Sequence, residues 1–154
     1  MNLKQINLND KNNLQGLEFL KDITLNENEL YSSPVPKEIN EYLYLGFLKL
    51  SEDDAKENRI YRYWIINEEK IIGFSDIKIT GNSGDIGIIL STNQRGKNIG
   101  LEAMKLLLKE AKENLKLDNI TITTNHKNIP MQRICEKLGA NLISSDDNFK
   151  YNIN

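Results

Sequence analysis

A short glycine-containing loop is the feature that most constrains the fold of this chain. Residues 95–100 read Arg-Gly-Lys-Asn-Ile-Gly and lie between an apolar run, Ile86–Leu90, and an amphipathic stretch, Leu101–Leu115. This pattern predicts a loop that joins a strand to the N-terminus of a helix. Free N–H groups at a helix start carry about half a positive charge, and glycine lets the chain approach an anion without a Cβ clash. The sequence therefore indicates a phosphate-binding loop.

Taken alone, the loop is equally compatible with an ordinary strand-to-helix turn that contains glycine and basic residues. Its glycine spacing fits neither the P-loop nor the dinucleotide-binding motif, so nucleoside triphosphates and NAD are weaker ligand candidates. If a phosphate binds here, Arg95 and Lys97 add positive charge beside it.

Two blocks of the sequence resemble the GNAT superfamily of N-acetyltransferases. The family signature is a strand, then Gln/Arg-x-x-Gly-x-Gly/Ala, then a helix; here Arg95 opens the motif, Gly100 closes it, and Asn98 stands in place of the middle glycine. Asparagine tolerates a left-handed backbone better than other non-glycine residues. Residues Asn128–Ala140 resemble the second family block, Asn-x-x-Ser/Ala-x-x-hydrophobic-x-Glu-Lys-x-Gly-Phe. The resemblance extends from Tyr61 to Ala140, and two blocks in the expected order favour a common family over chance.

The resemblance implies acetyl-CoA as cosubstrate and assigns most of its binding site. Main-chain N–H groups of the loop hold the pyrophosphate, and the preceding strand pairs with pantetheine and directs one N–H at the thioester carbonyl. An N–H aimed at a developing oxyanion lowers a barrier by about 3 kcal/mol. The residues implied for these roles are Ile88, Ile89 and Leu90 in the strand and Arg95, Gly96, Lys97, Asn98, Ile99 and Gly100 in the loop.

Four further residues are implied as cosubstrate contacts, and three of them have a second interpretation. Asn125 and Asn128 follow the fifth strand, where the family faces the pantetheine arm, but Asn128 is equally well suited to cap the next helix. Arg133 and Lys137, one helical turn apart, could reach the adenosine 3′-phosphate or could be solvated surface charges.

Acetylation of an amine requires a proton acceptor, for which Asp85 is the first candidate. An alkylamine has a pKa near 10.4, so its deprotonation at neutral pH costs roughly 4 to 5 kcal/mol without help from a base or a water chain. Asp85 begins the fourth strand, where related sequences often carry an acidic residue or histidine facing the acceptor. Its alternative role is to pair with or cap the turn at Gly84. Acidic residues in Ser51–Glu57 are further, unranked candidates.

The proton donor for the leaving thiolate is left open by the sequence. Many family members place a tyrosine where Cys135 stands, and others use a serine at the position of Met131; this chain has neither hydroxyl. Water, Cys135, Tyr151 or another aromatic hydroxyl could supply the proton, although Cys135 could also be a structural helix residue. A thiol with a pKa near 8.5 leaves readily, so an acid is helpful rather than essential. His126 is expected at the surface.

Composition excludes several other classes of protein. The 154 residues fit a single domain, 1–154, and the net charge of −2 gives no general attraction to nucleic acid or to an anionic membrane. One cysteine cannot form an internal disulfide, and one cysteine with one histidine cannot form a structural zinc site, so no metal is expected. No apolar run approaches the roughly 20 residues of a membrane span and no signal peptide is evident, which predicts a cytoplasmic protein. A homodimer is expected only because it is the commonest assembly.

Hydrophobic periodicity and turn residues predict the order of the elements. The predicted elements are a short strand through Leu3, Ile6 and Leu8, a helix through Leu14–Leu20, a loop at Asn26–Pro36, a helix at Lys37–Leu50, a helical turn capped by Ser51, strands at Tyr61–Ile66, Ile71–Ile79 and Ile86–Leu90 separated by turns at Asn67–Lys70 and Thr80–Gly84, a helix at Leu101–Leu115, a strand at Ile120–Thr124, a helix from Asn128 to Gly139, and strands at Asn141–Ser144 and Phe149–Ile153.

These elements predict an α/β (α+β) fold: a mixed, mostly antiparallel sheet with helices on both faces. The resemblance adds that the fourth and fifth strands are splayed to admit the cosubstrate. The function it implies is acetyl transfer from acetyl-CoA to a primary amine, on a small molecule or a peptide, by direct transfer in a ternary complex. The alternatives are a CoA or acyl-CoA sensor of the same fold without turnover and, more distantly, an interaction domain with no cosubstrate.

Overall fold

The computed structural model of the protein describes residues 1–26 and 38–153. Its elements are β1 (Asn2–Gln5), α1 (Gln15–Asn26), α2 (Glu41–Lys56), β2 (Ile60–Asn67), β3 (Lys70–Thr80), β4 (Ser83–Leu90), α3 (Ile99–Lys109), β5 (Asn119–Thr124), α4 (Ile129–Lys137), β6 (Asn141–Ser144) and β7 (Phe149–Ile153), with short 3₁₀ turns at Leu8–Asp10 and Thr92–Gln94. Among these described residues, no helix combines the length and the apolar character that crossing a bilayer requires.

The strands form one seven-stranded sheet in the order β1-β2-β3-β4-β5-β7-β6. Every neighbouring pair is antiparallel except β4 and β5, which are parallel. A parallel pair requires a crossover connection, and here α3 supplies it between β4 and β5. The predicted mixed, mostly antiparallel sheet is confirmed.

Each face of the sheet carries its own hydrophobic core. α3 and α4 cover one face, where Ile77, Ile86 and Ile122 are buried in a cluster with helix residues. On the other face, α1 and α2 pack against β3 and β2 and surround the buried Trp64. Tyr63 belongs to the first cluster and Trp64 to the second, as the alternation of side chains along a strand predicts. The sheet is therefore covered on both faces, as predicted.

The predicted break between two helices before residue 60 is wrong. A single helix, α2, runs from Glu41 to Lys56 with Asn40 as its N-cap. Ser51 is buried inside it and its hydroxyl donates to the carbonyl oxygen of Phe47 at 2.8 Å, so it satisfies a helical acceptor and does not cap a new turn. Residues 27–36 of the predicted loop lie outside the described part of the chain.

The helix after the glycine loop also differs from its prediction at both ends. It begins at Ile99 and is α-helical only to Lys109, after which Glu110–Asn114 continue as a π-helical turn. The Leu115 N–H donates to the Glu110 carbonyl at 3.0 Å, and the Tyr63 hydroxyl donates to the Glu110 carboxylate at 3.1 Å. A π turn changes the direction of side chains locally, which hydrophobic spacing alone does not reveal.

Candidate active site

The sheet opens between β4 and β5. Their parallel pairing runs from Ser83 opposite Asn119 to Ile86 opposite Ile122, whereas β4 continues to Leu90 and β5 to Thr124. The other edge of β4 stays paired with β3 as far as Leu90. The main chain of β4 beyond Ile86 therefore has one edge facing a gap within the sheet, which is the splay that the sequence resemblance implied.

Side chains of the open β4 segment remain in the core. Ile88 and Leu90 pack into the clusters on the α3 side, while Ile89 packs into the cluster around Trp64 on the other side. Main-chain contacts to a ligand in the gap would leave this packing undisturbed. The two interpretations of this strand, core element and ligand-binding edge, are therefore compatible.

The glycine loop lies at the open end of β4. Gly96 and Asn98 have positive φ angles of 76° and 61°, which directs the chain into α3. The Asn98 side chain makes no capping hydrogen bond, so the first-turn N–H groups of α3 keep the donor capacity of a helix start. Gly96, Lys97 and Asn98 are exposed, and the space beside Gly96 is empty to 4 Å. This loop has the form of an anion-binding cradle.

Two contacts hold this loop in place. The Arg95 guanidinium donates to the Leu90 carbonyl oxygen at 3.1 Å, which ties the loop to the end of β4. A Cβ added at Gly100 would lie 2.8 Å from Ile134 Cδ1 and 3.5 Å from Leu90 Cδ1. Glycine at position 100 is thus needed for the close packing of α3 against α4, a reason that the sequence alone did not provide.

The other side of the gap is formed by the loop after β5 and the start of α4. The Asn128 side chain accepts from the Met131 N–H at 3.3 Å, so its predicted role as N-cap is confirmed. The Asn125 side chain accepts from the Lys127 N–H at 2.8 Å and shapes the loop. Arg133 is exposed on α4 and His126 is exposed in the loop, as expected.

Asp85 lies at the closed end of the gap, on the face opposite α3. Its Oδ1 accepts hydrogen bonds from the hydroxyls of Thr121 at 2.6 Å and Thr123 at 2.9 Å, both on β5. Asp85 therefore bridges β4 to β5 where the two strands separate. It does not cap the turn before β4, because Gly84 is itself inside the strand and the turn consists of Gly81 and Asn82.

The two candidate proton donors are held in the core on the α3 side. Cys135 is fully buried, and burial, together with the nearby Glu136, raises the pKa of its thiol to about 12. Tyr151 is also buried, and burial raises the pKa of its hydroxyl. Both groups are therefore neutral at physiological pH, and both are poor acids.

The sequence model of the acetyltransferase (GNAT) domain matches residues 2–141. The chain belongs to the GNAT acetyltransferase family. The predicted family and enzyme class are thereby confirmed, and the predicted acetyl-CoA cosubstrate agrees with the family. No curated protein matches the chain significantly.

Solved GNAT structures share the fold over nearly the whole chain. The RimJ protein of Mycobacterium smegmatis, in complex with CoA-disulfide, is 14% identical with a TM-score of 0.78, covering 98% of this chain and 80% of that one. The microcin C7 self-immunity acetyltransferase MccE, in complex with acetyl-CoA and AMP, is 19% identical with a TM-score of 0.79, covering 97% and 91%. A spermidine N-acetyltransferase from Vibrio cholerae is 14% identical with a TM-score of 0.73, covering 98% and 94%.

One polar group of this GNAT chain was missed in the sequence. Asp76 lies on β3 opposite Gly87, on the same face as Asp85, and a Cβ added at Gly87 would lie 2.8 Å from Asp76 Oδ1. Beside it on β2, Arg62 donates to Asp54 of α2 at 2.8 Å. The signal for Asp76 was present: it is the only carboxylate in the strand predicted at Ile71–Ile79.

Proposed function

We propose that this GNAT enzyme transfers the acetyl group of acetyl-CoA directly to a primary amine, with both substrates bound together. The observation that carries the proposal is the continuity of two features: an anion-binding loop at the start of α3, and a sheet gap that starts after Ile86 and opens towards that loop at the end of β4. A ligand in which a diphosphate is joined to an extended thioester arm requires two such sites next to each other in space.

In this proposal, the loop residues Arg95–Gly100 hold the pyrophosphate through main-chain N–H groups, and Lys97 adds charge. The main-chain edge of Ile88–Leu90 binds the pantetheine arm and stabilises negative charge on the thioester oxygen. Asn125 and Asn128, which follow β5 on the other side of the gap, contact the pantetheine arm in this proposal. Arg133 is exposed on α4 and can approach the adenosine 3′-phosphate.

The acceptor approaches from the face opposite α3, where Asp76 and Asp85 lie. Two carboxylates on this face favour a cationic acceptor, which is the state of an amine before it loses its proton. Small molecules and peptide N-termini both meet that requirement. The solved neighbours include a small-molecule and a protein acetyltransferase, because one is named a spermidine N-acetyltransferase and another a ribosomal-protein-S5-alanine acetyltransferase from Vibrio fischeri.

Calorimetric titration with acetyl-CoA tests the first half of the proposal. We expect a single site, and a ligand at 100 times its dissociation constant should add about 2.7 kcal/mol to the unfolding free energy. No heat and no thermal shift at millimolar acetyl-CoA would refute it.

The second half is tested by thiol release with a panel of spermidine, aminoglycosides, amino acids and peptides with free N-termini. Light scattering on the same sample tests the expected homodimer.

A second candidate is a sensor that binds CoA or acyl-CoA without turnover. It is favoured by the two positions at which the family resemblance implies a hydroxyl group, because this chain has Met131 and Cys135 there and neither carries a hydroxyl. The two candidates predict the same calorimetry but different thiol release. Turnover of any amine in the panel eliminates the sensor, and a panel-wide absence of thiol release with tight acetyl-CoA binding supports it.

A further inference from the structure

The side chain of Asp76 lies where the sheet begins to open. β3 pairs with β4 so that Asp76 is opposite Gly87, and Gly87 is the first β4 residue beyond the last β4–β5 pair at Ile86. Asp76 Oδ1 is 2.8 Å from the position that a Cβ at Gly87 would take. The carboxylate therefore occupies the space that the missing side chain leaves, beside the main chain that borders the gap.

The face on which Asp76 lies is the one an acceptor would use. Gly100 at the start of α3 packs on Leu90 and Ile134, so the anion cradle is on the α3 side of the sheet. Asp76 and Asp85 are on the opposite side. A thioester that enters the gap from the α3 side would therefore approach these carboxylates only at the opposite face of the sheet.

The charged groups around Asp76 come from three strands. Arg62 on β2 and Lys78 on β3 favour its ionised form, and Asp85 on β4 opposes it. Arg62 interacts with more than Asp76: its guanidinium also donates to Asp54 and lies against the ring of Phe47 on α2. Burial has the largest effect and raises the pKa of Asp76, so this carboxylate is more basic than an exposed one.

We propose that Asp76 is the catalytic residue that takes the proton from the acceptor's ammonium group. The inference rests on the proposed acetyl transfer. The ammonium N–H bond breaks and its proton moves to an Asp76 oxygen, which leaves a neutral amine with a free electron pair. The amine nitrogen then forms a bond to the acetyl carbon, the carbon–sulfur bond breaks, and CoA leaves as the thiolate. The second proton lost by the nitrogen goes to that thiolate, and Asp76 releases its proton to water.

Asp85 has a different role in this scheme. Its Oδ1 already accepts two threonine hydroxyls, which fix it between β4 and β5. It is a positioning residue: it keeps the closed end of the gap together, and its charge helps to keep Asp76 basic. This assignment replaces the sequence-based preference for Asp85 as the base.

Carboxyl-¹³C NMR of aspartate-labelled protein tests the placement of Asp76 without any acceptor. The Asp76→Asn variant assigns the resonance, and the exposed Asp118 at the closed end of β5 is the internal control. Addition of saturating CoA should move the Asp76 resonance and its titration midpoint and leave Asp118 unchanged. CoA that binds by calorimetry but does not move the Asp76 signal overturns the inference. CoA that does not bind at all overturns the proposed function instead.

Kinetics with the amine found by thiol release tests the chemical role. Asp76→Asn should lower kcat by at least about 100-fold, the scale of general-base catalysis, with the acetyl-CoA dissociation constant within twofold of wild type. The variant should also lose the acidic limb of the pH profile and recover rate as the pH approaches the pKa of the amine. The matched control, Asp118→Asn, should behave as wild type. An Asp76→Asn enzyme within threefold of wild type with an unchanged pH profile contradicts the inference.

Discussion

Substitution of Cys135 separates a packing role from a proton-transfer role. The thiol is fully buried with Met104, Ile122 and Tyr151, and its pKa is raised to about 12. For a leaving thiolate with a pKa like that of cysteine, about 8.5, proton transfer from Cys135 to that thiolate is uphill by about 5 kcal/mol. That cost is larger than the benefit of protonating a good leaving group. We therefore expect Cys135 to stabilise the fold and not to donate a proton.

The two smallest substitutions then have opposite rankings under the two roles. Cys135→Ala removes one buried sulfur and should lower the unfolding free energy by about 1 kcal/mol. Cys135→Ser buries a hydroxyl in an apolar cluster and should cost about 2 to 3 kcal/mol. Both should keep kcat within threefold. A proton-donating Cys135 predicts instead that alanine loses activity while serine retains part of it.

Urea unfolding followed by fluorescence measures the stability order. Trp64 is the only tryptophan and is buried in the cluster on the opposite face, so its emission reports global unfolding and not the mutated site. Each kcal/mol corresponds to about 2 to 4 °C in Tm for a chain of this size. A Cys135→Ala enzyme that is as stable as wild type but at least 100-fold slower would refute the reasoning.

Three further predictions concern Asp76, the ion pair between Asp54 and Arg62, and Gly100. Because burial raises the pKa of Asp76, the folded state binds this proton more tightly than the unfolded state, and stability falls as pH rises from about 3.9 through the folded pKa. Asp76→Asn should therefore raise Tm at neutral pH, with a gain that shrinks towards pH 4 in thermal scans. Asp54→Ala leaves the largely buried Arg62 without its 2.8 Å partner and should cost about 3 kcal/mol in urea unfolding, whereas Arg62→Met with Asp54→Leu should cost less. Gly100→Glu should weaken acetyl-CoA binding at least tenfold in calorimetry; it is made in an Ile134→Val background, which removes the Cδ1 atom at 2.8 Å, and Ile134→Val alone is its control.

Local sequence patterns were sufficient for the cosubstrate side of the site. The loop, its left-handed Asn98 and the cap at Asn128 are each fixed within about four residues of chain, and the structure reproduces them. Caps and left-handed turns depend on short-range hydrogen bonds and backbone sterics, so residue type and spacing predict them well. The roles of these residues towards acetyl-CoA stay predictions.

The acceptor side depends on strand register, and the predicted length of the turn at Thr80–Gly84 implies a register that is wrong by one residue. A five-residue turn at Thr80–Gly84 pairs Ile79 with Asp85 and would set Asp76 opposite Ile88. The structure has a two-residue turn, pairs Thr80 with Ser83, and sets Asp76 opposite Gly87. A slip of one residue changes every cross-strand neighbour, so the space that Gly87 leaves for a carboxylate could not be recognised.

The single helix α2 shows the same limit at longer range. Ser51 and the acidic residues after it have the composition of a new helix start, which is why a break was predicted there. Asp54 is instead held on a continuous helix by Arg62, eight residues later and on a strand. A pair of this kind forms only once α2 has docked on β2, so no local pattern encodes it.

The two sides of the site differ in what supplies the chemistry. On the α3 side, the groups proposed to bind acetyl-CoA are main-chain N–H and C=O groups, which any sequence with the right turns and glycines can provide. On the other side, proton removal requires a side chain, and we propose the half-buried Asp76, whose pKa is raised chiefly by desolvation and which lies beside Gly87. The fold is retained in solved structures only 14 to 19% identical to this chain, and we expect main-chain binding of the cosubstrate to tolerate similar divergence. In our proposal, acceptor choice and proton transfer depend on a few side chains, among them Asp76 and Asp85. We therefore expect these two properties to change before cosubstrate binding as the sequence diverges.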